Sequence, residues 1–127
     1  MIAATAQTRD AMMDGTDQLE QGRAAFNRGE YFRAHELWEE VWHQMEGPER
    51  IFVQGLIQIA AGLHHLQQHR PRPAAGLLRK GLEKLSRGSP GPLVHLRVEA
   101  LVHDLAQMLA EVDSPGATVP DPKTLKL

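Results

Sequence analysis

The chain has 127 residues, of which 42% are apolar and 24% are charged, and its formal net charge is −2. These values fit one small globular domain, and they argue against a protein that coats nucleic acid or binds membranes through a polybasic surface. Because the chain has no cysteine, disulfides, thiol catalysis and thiolate zinc sites are excluded.

No targeting signal is expected. Arg9 and Asp10 interrupt the first residues, which lack the basic start and apolar stretch of a secretory signal. The most apolar segment, residues 51–66, contains Gln54 and Gln58 and falls short of the roughly 20 apolar residues that a membrane span needs. We therefore expect no membrane partner and a cytoplasmic location.

Apolar residues recur at helical spacing along most of the chain, without convincing strand alternation. The predicted helices span residues 16–27, 31–45, 49–69, 73–85 and 92–112. Gly29, the pair Gly47-Pro48 and Pro71 separate the first four helices, and a loop over residues 86–92 precedes the fifth.

The chain ends differ in composition from this helical part. Residues 1–14 are predicted to form a flexible segment and residues 15–113 a single helical domain. Residues 114–127 contain three prolines and are predicted to form a disordered tail.

The first two predicted helices resemble one tetratricopeptide repeat. Small and aromatic residues fall at the spacing of that repeat's signature, namely Gly22, Gly29, Tyr31, Ala34 and Trp38. However, Ala75 lies 41 positions after Ala34, whereas a tandem array repeats about every 34. The sequence therefore predicts an all-α, compact bundle of about five helices built from antiparallel hairpins, not a solenoid.

The second predicted helix places polar groups within an aromatic face. On a helical wheel, Glu39 and Trp42 lie within about 60° of His35, as do Phe32, Tyr31 and Trp38. A buried carboxylate is costly unless it is paired, so Glu39 needs a partner, and His35 is the nearest. The third predicted helix is apolar almost all round, with one polar stripe formed by Gln54, Gln58 and His65.

The segments FNRGEYFRAHELWEEVW and FVQGLIQIAAGLHH resemble the uncharacterised family called domain of unknown function 309 (DUF309). The resemblance extends from about Gly22 to Leu85, and it implies an all-helical fold without an established activity. The positions that it singles out are His35, Glu36, Glu39, Trp42, Gln54, Gly55 and His64. It selects His64 where the helical wheel selects His65; we keep both and prefer His64.

Polar residues buried between helices are typical of a structural hydrogen-bond network or a small binding pocket. We interpret the chain as a protein-interaction or small-ligand-binding module, not a conventional enzyme, and predict no cofactor. The alternative is a metal-dependent or acid–base enzyme centred on His35 and Glu39, in which His64 would complete a set of divalent-metal ligands. The protease motif HExxH is absent, because Glu39 stands where its second histidine would be.

The basic residues of the fourth predicted helix and the apolar seam of the fifth indicate what kinds of partner the chain has. Basic residues crowd the fourth predicted helix and its ends: Arg70, Arg72, Arg79, Lys80, Lys84 and Arg87. Nucleic-acid binding through these residues is another alternative. Because no ladder of aromatic residues accompanies them, we expect the chain not to bind nucleic acid. The expected partner is another protein or a second copy, and the fifth predicted helix offers a seam for a homodimer: Val94, Val98, Leu101, Leu105, Met108 and Val112.

Overall fold

The structure, a computed structural model, describes residues 16–93, 95–113 and 125–127. This part of the chain contains five α-helices and no strand. They are α1 (Thr16–Asn27), α2 (Tyr31–Trp42), α3 (Gly47–Gln67), α4 (Pro71–Arg87) and α5 (Val98–Asp113), with a 3₁₀ helix (Gly91–Leu93) before α5. The predicted all-α class is confirmed. Among these helices, none is long and apolar enough to cross a membrane.

Most helix ends lie within three residues of the predicted bounds, but the predicted start of the fifth helix at residue 92 is wrong. α5 begins at Val98, because the chain first forms the 3₁₀ helix and a tight turn in which the N–H of Leu96 donates to Leu93 over 3.0 Å. α2 ends at Trp42 because the next residues close tighter turns, in which the backbone N–H of Gln44 donates to Val41 over 3.0 Å. α3 and α4 each begin two residues before the predicted start. Pro48 and Pro71 fit the first turn, since its N–H groups have no partner within the helix.

Consecutive helices pack on one another, and α3 lies at the centre of the core with α4 as its main neighbour. Glycines allow this close crossing. A Cβ atom built on Gly55 would lie 2.8 Å from the carbonyl oxygen of Gly81, a distance that real Cβ atoms do not tolerate. Gly55 therefore serves the α3–α4 contact.

The α1–α2 pair is held by an aromatic cluster. The rings of Phe26 and Tyr31 meet edge to face with centroids 5.0 Å apart, and the indole Nε1 of Trp38 donates to the carbonyl oxygen of Leu19 over 3.0 Å. Trp38 lies directly against Gly22. The close approach of α1 and α2 explains why this hairpin places a glycine opposite a tryptophan. Its likeness to a tetratricopeptide repeat stays a prediction.

The structure differs from the predicted disordered tail at its last three residues. The side chains of Leu125 and Leu127 are buried against the core. The main-chain oxygen of Leu127 accepts a hydrogen bond of 2.8 Å from Arg23, and its N–H donates to Asn27 over 2.7 Å. Apolar burial and these bonds secure the segment to α1. The other residues of the predicted tail, and residues 1–14, lie outside the described part.

The part of the predicted seam that lies on α5 faces the chain's own core, while Val94 lies outside the described residues. Leu101 and Leu105 are fully buried, and Met108 and Leu109 nearly so. Assigning a dimer interface to these leucines is therefore wrong, because α4 and its neighbours already cover them. The homodimer itself stays a prediction.

Candidate functional site

Aromatic and polar side chains gather on the exposed side of α2. Nε2 of His35 lies 3.2 Å from a carboxylate oxygen of Glu39, one helical turn away. The His35 ring stacks on Phe32 with centroids 5.9 Å apart. Phe32 remains 53% exposed, the highest value among the described large apolar residues. α2 therefore offers an aromatic ring and a carboxylate to solvent.

The burial predicted for Glu39 is wrong. Its side chain is 46% exposed, and that of His35 is 26% exposed. The helical wheel orients Glu39 correctly beside His35, but no neighbouring helix fully covers this sector of α2. Glu39 thus needs no buried partner, and it lines a cleft between α2 and α3.

The two adjacent histidines of α3 occupy different surroundings. The ring of His64 lies 5.2 Å from the ring of Phe32, which brings His64 to the α2 side. His65 lies next to it, with ring centroids 6.4 Å apart. Nδ1 of His65 is buried and lacks a hydrogen-bond partner. Of the two, His64 is the one in ring contact with α2.

A cleft of about 200 Å³ opens between α2 and α3. Its lining residues are Glu39, Trp42, Gln54, Ile57 and Gln58. Four of these five are polar or aromatic residues that the sequence singles out; the fifth, Ile57, forms an apolar wall. We call this space the α2–α3 cleft.

Two cations contact residues that line the α2–α3 cleft, and neither is among the candidate site residues drawn from the sequence. The Arg50 guanidinium lies over the Trp42 ring at 4.1 Å, and the Trp42 indole donates to the Arg50 carbonyl oxygen over 3.1 Å. Lys84 on α4 donates to Oε1 of Gln58 over 3.0 Å. Lys84 stands out in the sequence only as part of the basic helix, because packing of α4 on α3 brings it here.

Three of the candidate residues lie away from the cleft. Glu36 is exposed and lies 3.9 Å from Arg33. Trp38 is buried between α1 and α2, and Gly55 lies at the α3–α4 crossing. These positions have evident roles in packing or on the solvated face of α2.

The described residues contain no group of three or more histidine, aspartate or glutamate side chains that could hold a metal ion. His35 and Glu39 are adjacent, but His64 meets Phe32 in place of joining them as a third ligand. Of the basic residues on α4, Arg79 pairs with Asp113, and Arg87 pairs with Glu83 at 2.9 Å. The basic surface is thus partly neutralised within the chain.

Comparison with known proteins supports the resemblance. The family described as "Domain of unknown function (DUF309)" matches residues 19–77, which confirms the resemblance over that segment. An uncharacterized protein of Aquifex aeolicus (strain VF5) is 34% identical over 65 residues, which amount to 50% of this chain but only 20% of that protein. No solved structure matches. The matched segment includes α2, α3 and every residue that lines the cleft.

Proposed function

Because the DUF309 segment carries no assigned activity, we propose from the geometry that this chain is a binding module whose site is the α2–α3 cleft. The observation that carries the proposal is a concave space lined by polar groups that the fold leaves underused. The amide of Gln54 makes no hydrogen bond to another described residue, although it lines the cleft. The carboxylate of Glu39 also lines the cleft, and that side chain is 46% exposed.

The size of the cleft limits what it binds. Its volume of about 200 Å³ is below the ~300–1,000 Å³ of pockets that enclose drug-sized ligands. The occupant is therefore a small molecule or a single side chain of a protein partner.

The two tryptophans allow a direct test of this site. Trp42 lines the cleft, whereas Trp38 is buried in the α1–α2 pair. In ¹H–¹⁵N NMR spectra of the protein with a library of small polar fragments, we expect hits that shift the Trp42 indole signal but leave that of Trp38 unchanged.

A variant that fills the cleft provides the control. Gln54→Trp is expected to abolish the fragment-induced shifts, whereas Gln107→Trp on the exposed side of α5 is expected to preserve them. Fragments that bind only between α4 and α5, or no binding at millimolar concentration, would contradict the proposal.

A further inference from the structure

Charges of opposite sign border the α2–α3 cleft. Glu39 supplies a carboxylate from α2. Arg50 touches Trp42, and Lys84 touches Gln58, so both cations contact residues that line the cleft. Resting on the function proposed above, we infer that the ligand is a compact dipolar molecule of the amino-acid class, with its carboxylate toward Arg50 and Lys84 and its ammonium toward Glu39.

The cationic side of the cleft lacks a negative partner. Within the described residues, neither Arg50 nor Lys84 forms an ion pair: Arg50 lies over the Trp42 ring and Lys84 donates to Gln58. A guanidinium has five N–H donors and an ammonium three. A ligand carboxylate would supply the negative partner that these two cations lack.

The anionic side has acceptor capacity to spare. The Glu39 carboxylate lies 3.2 Å from His35 and 4.0 Å from His43, and it remains 46% exposed. A carboxylate offers about four lone-pair sites, more than these two neighbours use. A ligand ammonium would fill the others.

Charges of both signs beside the cleft select for a ligand that carries both charges. A simple amine meets attraction at Glu39 and repulsion from Arg50 and Lys84, while a simple carboxylic acid meets the reverse. A dipolar molecule is attracted at both ends. The volume of about 200 Å³ admits an amino acid of moderate size, whose side chain can contact Trp42 and Ile57.

The test titrates the whole chain with each of the common amino acids, using the Trp42 indole signal as the readout. We expect saturable binding by at least one of them. The matching amine without the carboxylate, and the matching acid without the ammonium, should each bind at least tenfold more weakly. Glu39→Gln and Lys84→Met should weaken binding at least tenfold. The exposed neighbours Glu36→Gln and Lys80→Met should leave it unchanged.

The outcomes separate this inference from the function on which it rests. If fragments bind the cleft but no amino acid does at 10 mM, a concentration well above the ~1 mM dissociation constant of a weak ligand, the dipolar ligand is refuted and the binding module stands. If the amine analogue binds as tightly as its parent amino acid, the role of Arg50 and Lys84 is refuted. Binding that persists in both Glu39→Gln and Lys84→Met would place the site elsewhere.

Discussion

Adding one methyl group at Gly22 should destabilise the fold through Trp38. A Cβ atom at Gly22 would lie 2.2 Å from Nε1 of Trp38 and 2.5 Å from its Cδ1. The indole is fully buried and donates to the Leu19 carbonyl oxygen. The ring therefore cannot yield by a few tenths of an ångström; it must move and weaken that hydrogen bond.

The expected change in the free energy of unfolding combines two destabilising effects and one stabilising effect. Overpacking a core costs about 1–3 kcal/mol, and losing a buried hydrogen bond adds about 1 kcal/mol. Alanine gains up to about 1 kcal/mol over glycine in helix propensity. Gly22→Ala should thus lower the free energy of unfolding by about 2 kcal/mol, which is roughly 8–16 °C in Tm for a domain of this size.

Thermal and urea unfolding, followed by circular dichroism, would measure the change. Gly76→Ala on α4 is the matched control, because nothing lies within 4 Å of its added Cβ atom. That variant should be as stable as the parent or up to about 1 kcal/mol more stable. Trp38→Phe should lessen the cost of Gly22→Ala by making room. Equal stability of the two alanine variants would refute the argument.

Three further predictions concern the site, the chain end and acid stability. Glu39→Ala should lower the free energy of unfolding by only about 0.3–0.5 kcal/mol, as expected for a pair one turn apart on a helix surface, because the Glu39 side chain is 46% exposed. A decrease above 1 kcal/mol in urea unfolding would contradict this. Leu127→Ala should lower stability by about 1–2 kcal/mol, less than the ~2–5 kcal/mol of a core leucine, since release of the segment regains chain entropy; an unchanged Tm would show that its docking adds nothing. The hydrogen bond from Arg28 lowers the pKa of Glu30. The stability that this bond adds to the fold is therefore present above the ordinary carboxyl pKa and is lost as pH falls through the lowered value. NMR titration should show the pKa of Glu30 rising in Arg28→Gln, and an unmoved pKa would exclude that bond.

The helices were predictable because their signals are local. Gly29, Pro48 and Pro71 act on the residues beside them, whatever the rest of the chain does. The predicted and observed bounds of α1 agree for the same reason. The starts of α3 and α4 differ from prediction because a proline's place in the first turn depends on where the preceding turn ends.

The site was predictable only in part, since angular position on a helix does not reveal what covers it. The helical wheel predicts that Glu39 lies beside His35 and Trp42, and it does so in the structure. A wheel describes one helix alone, so it cannot show the gap between α2 and α3 that leaves Glu39 exposed. Arg50 meets Trp42 through the packing of α3 on α2, and Lys84 meets Gln58 through the packing of α4 on α3. The hydrophobic docking of Leu127 likewise depends on a distant partner surface.

The contact between Arg23 and Leu127 joins residues 104 positions apart, whereas the helices pack mainly on their neighbours in sequence. Local contacts form early in folding, and closing a long loop is entropically costly. The last three residues should therefore dock after the folding transition state. Substitutions there would speed unfolding and leave the folding rate nearly unchanged, so the end of the chain governs how long the native state persists more than how quickly it forms.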